Sequence, residues 1–303
     1  MEFIWISDHE EPLSMKAFLK RQGVSRKFLT HAKFHGQITL NGEWVTVRAS
    51  VKKGDRVGLI VEDEEGHETV RPSYEDIPIV YEDRDLLVVN KPAGISSLPS
   101  KAHPDRSLAN RIRGYYMKNN YSDQVIHVVT RLDKCTSGVV LVAKHRFAHA
   151  LLDQALGHSA IHKRYFAIAY DPHHILKAHD QINRPIGRKP GSIIERQVMP
   201  EGKISLTEYW LKKRLGDYAL LSLQLHTGRT HQIRVHLQSL GCPLLGDDLY
   251  GGPLAYGLER QALHCQQLSL THPFTGDPLI VETPLAEDLS EALVRLKADQ
   301  DKG

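Results

Sequence analysis

Cysteine is scarce: Cys135, Cys242 and Cys265 are the only three in 303 residues, far apart and with no CxxC pair. That excludes a disulfide framework and argues against a thiolate zinc site. HExxH is missing too, and the 18 histidines, the neighbours His173 and His174 included, show no recognised ligand spacing. No metal is therefore expected. No apolar run approaches the ~18 residues that a membrane span needs, and MEFIWISDHEEP is not a positive leader followed by an apolar stretch. A cytoplasmic protein without membrane contact is expected. With 41% apolar and 25% charged residues the chain has an ordinary globular balance, and its length allows one large domain or two ordinary ones.

A strong excess of one charge is also missing, since the net charge is only +3, but the distribution is uneven. From Leu13 to Val61 ten Lys or Arg (Lys16, Lys20, Arg21, Arg26, Lys27, Lys33, Arg48, Lys52, Lys53, Arg56) face two acids, Glu43 and Asp55, which leaves this segment at +8. Ser14 to Gln22 reads as a short helix closed by Gly23. Ser25 to His35 reads as a second, with Ser25 as N-cap and Gly36 past its end. Phe18, Leu19, Phe28, Leu29 and Ala32 supply the apolar face. ITL, the dipeptide Asn41-Gly42 and WVTV carry a hairpin signal, and Arg56 to Val61 returns as another strand. The pattern GVSRKFLTHAKFHGQITLNGEWV resembles the S4-type RNA-binding domain over roughly fifty residues. Independently of that likeness, Arg26, Lys27 and Lys33 fall on the second helix, where clustered cations can meet phosphates.

Glu62 to Asp76 is acidic and contains Gly66 and Pro72, the marks of a solvated linker. The expected organisation is an S4-like module at 1–62, a linker at 63–76 and a larger domain at 77–303. Beyond the linker, short apolar runs alternate with turns: LLVVN, GVVLVA, YFAIAY, Leu206 to Lys212 and Tyr218 to Leu225 around Gly216-Asp217, ALHCQQLSL, and LIVET. Helical spacing appears at Arg146 to Leu156, and His231 to Leu240 reads as a second helix from its end at Gly241, although its apolar positions form no single clean stripe. The expected fold class is α+β, a mixed and mostly antiparallel sheet with flanking helices plus the small N-terminal αα-β module.

One carboxylate stands out. In HVVTRLDKCTSGVVLVAK, Asp133 lies between a cation and a small-residue turn that enters a buried strand, and loops held on rigid strands are where chemistry concentrates. Taken alone, Asp133 with Thr136, Ser137 and Gly138 is also an ordinary turn signature. The wider context decides between the two. DLLVVNKPAG (Asp85 to Gly94), RLDKCTSGVVLVAK (Arg131 to Lys144), KRYFA (Lys163 to Ala167) and HTGRTHQIRVHLQSLGCPLLGDDLYGG (His226 to Gly252) together resemble the RluA-type RNA pseudouridine synthases, in the family's order, from about Ile79 to about Pro284.

The resemblance implies that Asp133 is the catalytic aspartate, that Tyr165 faces the target uracil, and that Arg234 pairs with the aspartate. It also suggests that Arg131 fills the gap left by the extruded nucleotide, although a phosphate contact would suit it equally. These roles agree with elementary chemistry. A carboxylate is ionised at neutral pH and can act without an activating base, and a nearby arginine would keep it ionised and oriented. A tyrosine offers a ring for stacking and a hydroxyl near the C5 proton. The isomerisation is redox neutral, so no cofactor is expected. Lys91 and the turn Gly228 to His231 are further candidates for phosphate contact.

Two positions depart from the family's usual pattern: Thr130, where relatives often carry histidine, and Cys135, where an acidic or small residue is common. A non-catalytic RNA chaperone is one rival reading, which the intact Asp133, Tyr165 and Arg234 disfavour. A glycosidase would need two flanking acids, and this block offers one. RNA is the expected partner, with large-subunit ribosomal RNA ahead of transfer RNA by analogy, and a monomer is expected.

Overall fold

The β-branched and aromatic residues of EFIWI, GQITL and RVGLIV build a small sheet that closes one side of the N-terminal core. The computed structural model describes residues 1–300 except 65, 67–69 and 101–103. Its N-terminal sheet runs in the order Glu2–Ile6, Arg56–Val61, Gly36–Leu40, Glu43–Trp44. Helices Met15–Arg21 and Arg26–His35 cover it, and their Ser14 and Ser25 caps accept from the backbone N–H of Ala17 and Phe28. Asn41 and Gly42 both take positive φ, 53° and 93°, the geometry of a tight hairpin turn. The strand expected over Trp44 to Val47 stops after Trp44. A further strand, Glu2–Ile6, which is not among those expected from the sequence, forms one edge of this sheet.

Ten further strands form a second sheet among the described residues, and two small pairs, Leu13–Ser14 with Ser50–Val51 and Ile186–Arg188 with Arg196–Val198, stand outside both. The main path of the second sheet is His179–Asn183, Leu206–Leu215, Tyr218–Leu225, His162–Tyr170, Leu263–Thr271, Ser137–Ala143, Leu86–Lys91, Ile79–Glu82. Pro278–Glu282 and His127–Val128 pair off that path. Ser137–Ala143 runs parallel to Leu263–Thr271, while the other pairings are antiparallel, so the sheet is mixed and mostly antiparallel as expected. All seven residues of Ser137–Ala143 are buried, which explains a continuous apolar run rather than an alternating one. Helix Leu108–Lys118, carrying a capping box between Ser107 and Asn110, and helix Glu287–Gln300 complete the flanks. No helix of the described residues is long and apolar enough to cross a membrane.

The two sheets meet through aromatic packing. Phe147, the second residue of helix Arg146–Gly157, is 1% exposed and belongs to the N-terminal core rather than to its own domain's. Its ring stacks on Phe28 at 5.1 Å and meets Phe3 and Phe274 edge-on at 4.9 and 5.4 Å. The segment expected as a solvated acidic linker is pinned at both ends. Glu64 accepts from the backbone N–H of Arg146 and contacts His127 at 2.8 Å, and the Ser73 N–H donates to the Asn110 carbonyl. Parts of that segment, and residues 301–303, lie outside the described residues.

Removing the aromatic key tests this arrangement. Phe147→Ala is expected to cost about 3–5 kcal/mol, measured by urea denaturation of the full chain. A loss below about 1 kcal/mol would show that the two cores do not depend on this ring.

Candidate active site

The backbone around Asp133 is fixed before any catalytic group is considered. Ser97 Oγ donates to the Leu132 carbonyl at 2.9 Å and accepts from the Leu132 N–H at 3.1 Å, gripping the residue before the aspartate on both sides. The Lys134 carbonyl accepts from the Gly94 N–H and from the Lys91 ammonium, at 3.0 and 3.1 Å. Lys91 Nζ donates also to the carbonyls of Pro92 and Ile95, each at 2.9 Å. Burial pulls Lys91 down to about 7, although Cys135 and Asp133 work in the other direction. This lysine is fully buried, so the suggested phosphate contact does not hold: its protons are spent on carbonyls.

On the far side of the turn, Arg260 donates to the Cys135 carbonyl at 3.0 Å while paired with Asp288 through both carboxylate oxygens. Gln261 donates to Thr136 Oγ1. Gly138 has φ +116°, and a Cβ there would lie 2.1 Å from the Cys265 carbonyl, so only glycine lets the strand approach its parallel neighbour. Thr130, at the position where relatives often carry histidine, is buried and accepts from the Leu141 N–H.

Asp133, Arg131, Tyr165 and Arg234 line one cleft of about 460 Å³. Asp133 is about a quarter exposed, and Arg131 is exposed on the same loop. Tyr165 lies at a register shift in the pairing of His162–Tyr170 with Leu263–Thr271, where the extra residue re-aims a side chain. Its ring is 4% exposed, and burial, followed by the charges of Cys265 and Asp133, pushes its hydroxyl well above 10. The phenol is therefore protonated at neutral pH. Arg26, Lys27 and Lys33 stand apart from this cleft, exposed on helix Arg26–His35.

Arg234 approaches Asp133 at 3.9 Å, but its hydrogen bonds go elsewhere. Nε and Nη2 donate to the two oxygens of Asp247 at 2.8 and 2.7 Å, and the guanidinium lies 4.8 Å from the Tyr250 ring. Burial opposes its charge, yet the Asp247 bonds and charge, with Asp133 adding to them, leave Arg234 raised. Arg234 thus presents one edge to Asp133 as a fixed cation. The Tyr250 hydroxyl accepts from the Arg196 N–H at 3.0 Å and is hydrogen-bonded to His231 Nδ1 at 2.9 Å. His231 has φ +58° and provides no side-chain cap, so the helix here runs Gln232–Ser239. Gln232 Oε1 takes up the Arg229 N–H instead. The sequence does not single out Asp247, Tyr250 or the cleft-lining Lys163, whose ammonium is 5.7 Å from the Tyr165 ring.

Residues 85–239 match the family described as RNA pseudouridylate synthase. A Bacillus subtilis RNA pseudouridine synthase, YjbO, is 40% identical over 93% of this chain and 98% of its own length. The chain belongs to the RNA pseudouridine synthase family. It is accordingly an isomerase acting on RNA. Ribosomal large subunit pseudouridine synthase D of Xanthomonas campestris is 34% identical, over 87% of this chain and 82% of that one. Among solved structures, human RNA pseudouridylate synthase domain containing 1 superposes with a TM-score of 0.56 at 27% identity, covering 75% of this chain and 96% of that chain.

Beneath the loop of this synthase lies a buried histidine. His264 is opposite Ser137 in the parallel pairing. Arg260 donates to Ser137 Oγ, which is hydrogen-bonded to His264 Nδ1 at 2.9 Å, and His264 Nε2 is hydrogen-bonded to Thr283 Oγ1 at 3.1 Å. Burial, with Arg260 adding to it, lowers His264 from 6.5 to about 4. Between those values the unfolded chain binds a proton that the folded chain refuses, so this contribution is complete above pH 6.5 and lost as pH falls towards 4. His264→Asn is expected to flatten the acid limb of the stability profile by on the order of 3 kcal/mol, measured by urea denaturation at stepped pH. An unchanged acid limb would contradict the neutral, buried assignment.

Proposed function

We propose that this chain converts uridines of large-subunit ribosomal RNA to pseudouridine, with Asp133 as the catalytic residue, Tyr165 beneath the uracil, and Arg234 and Arg131 on the substrate. One observation carries the chemical part: among the described residues lining the cleft, Asp133 is the sole carboxylate, and Arg131, Lys163, Arg229 and Arg234 surround it. A single acid among cations suits an anionic polymer and one-carboxylate chemistry, whereas hydrolysis of a glycosidic bond generally uses two flanking acids.

The steps follow from that arrangement. As the bond from ribose C1′ to uracil N1 breaks, N1 takes the bonding pair and the Asp133 carboxylate meets the electron-poor C1′. The freed uracil turns over the Tyr165 ring. Its C5 then donates an electron pair to C1′ as the carboxylate withdraws, the C5 proton passes to water, and N1 takes a proton from water, so nothing is oxidised or reduced. Tyr165, protonated at neutral pH by the argument above, acts as a platform and hydrogen-bond donor rather than as a resident anion. Arg234, held by Asp247, keeps the carboxylate oriented without competing for it. Extruding the uridine costs a few kcal/mol when it is paired, which favours loops and distorted stems.

The N-terminal module, residues 1–62, is assigned an S4-like RNA-holding role, with Arg26, Lys27 and Lys33 on phosphates and the boundary to the catalytic domain falling within 63–76. Support for the ribosomal target comes from the relatives named as ribosomal large subunit pseudouridine synthase D, 34–35% identical over most of this chain.

Mapping pseudouridines across total RNA from cells with the gene intact, deleted, or carrying Asp133→Asn tests both parts. At least one large-subunit site is expected to vanish equally in the last two strains. Loss of a transfer RNA site alone would move the target, and retention of every site with Asp133→Asn would sink the assignment of the carboxylate.

A further inference from the structure

The N-terminal module exposes two large aromatic side chains that its own folding does not use. Trp44 is 74% exposed and Phe34 79% exposed, and a ring left this open in water loses most of the benefit of burial. Trp44 is not on a loose loop. It pairs with Thr39 directly after the Asn41–Gly42 turn, and the Asn41 side chain ties that turn to Asp55 and to the Arg56 N–H. The ring is thus presented on a short, well-anchored hairpin.

Beside it runs a groove of about 440 Å³ walled by Trp44, Lys33, Gly36, Gln37 and Thr46. Lys33 and Arg48 are exposed there or next to it, and Arg26 and Lys27 lie on the helix that Lys33 belongs to; none of the four forms an ion pair among the described residues. Glu43 is the adjoining acid, but neighbouring residues of a strand point to opposite faces, which turns it away from the Trp44 side. An apolar ring bordered by uncommitted cations is the arrangement that holds single-stranded nucleic acid: the ring stacks on a base while the cations follow the phosphates.

We propose that Trp44 is a base-stacking platform, and that an unpaired nucleotide of the substrate RNA occupies the groove between Trp44 and Lys33 while the target uridine is held at Asp133. This rests on the RNA-binding role proposed for the module. It adds a preference for substrates with an unpaired nucleotide away from the modified one. Phe34, one residue after Lys33, extends the exposed aromatic surface along the same helix.

The test is binding of the full chain, by filter retention across a salt series, to a hairpin RNA with a single-stranded tail and to the same hairpin without it. Trp44→Ala is expected to weaken binding of the tailed RNA about tenfold or more with an unchanged salt slope, and to leave the tailless RNA within about twofold. Trp44→Phe, which keeps a ring, should retain most of the affinity. Lys33→Ala should instead reduce the salt slope by about 0.7 to 0.9. Tailed-RNA affinity within twofold of wild type for Trp44→Ala, or equal losses on both RNAs, would overturn the platform while leaving the module as an RNA clamp. Wild type that binds neither RNA would overturn the clamp itself, and the platform with it.

Discussion

The ammonium of Lys91, without exposed surface, donates to three backbone carbonyls, and the placement of Asp133 follows from those bonds. A buried cation with no partner would be prohibitively costly, but three carbonyls at ordinary distance replace the water it has lost. Two of these belong to the turn after Leu86–Lys91, and the third, on Lys134, belongs to the residue following the aspartate. One side chain therefore ties two separate loops together. Ser97 grips Leu132 on the other side, and Arg260 holds Cys135. The Asp133 carboxylate is left as the free end of a backbone fixed on three sides, which is the preorganisation that its proposed role in catalysis requires.

The arginine beside it shows a related economy. If Arg234 donated directly to Asp133, it would occupy the lone pairs that the proposed chemistry needs. Instead its two parallel donors close on Asp247, a bidentate geometry that lysine could not reproduce. What remains towards Asp133 is charge at 3.9 Å rather than a hydrogen bond. The carboxylate is thereby steered and left available.

How much of this was legible follows from the range of each interaction. Apolar runs such as Val139–Ala143 and Val57–Val61 declare themselves locally, as do the Ser25 cap and the Asn41–Gly42 turn. Asp133, Tyr165 and Arg234 were reached by resemblance between blocks rather than by periodicity, and the structure brings all three to one cleft. The partners that fix them were not legible. Asp247 is thirteen residues from Arg234, beyond a turn whose Gly246 lies against the Arg260 carbonyl, and nothing local marks the pairing. Lys91 looks like a surface cation in sequence because its acceptors are carbonyls, which every residue has. Helix Leu108–Lys118 was obscured by Gly114, a poor helix former that is needed because Ser73 lies against it.

The aromatic joint between the sheets gives the N-terminal module a definite relation to the cleft. Were the two cores not in contact, the module would on its proposed role raise only the local concentration of RNA. Phe147 donated to the other core, Phe3 stacked on Phe274, and Glu64 bound to His127 and the Arg146 backbone instead make the joint stiff. On the roles proposed above, a stiff joint would set a fixed spacing between a nucleotide held by the module and a uridine at Asp133. Such a spacing selects among RNA shapes without reading a base, because a substrate must satisfy both points at once. The choice of uridine would then be made as much by Phe147 as by the residues that touch it.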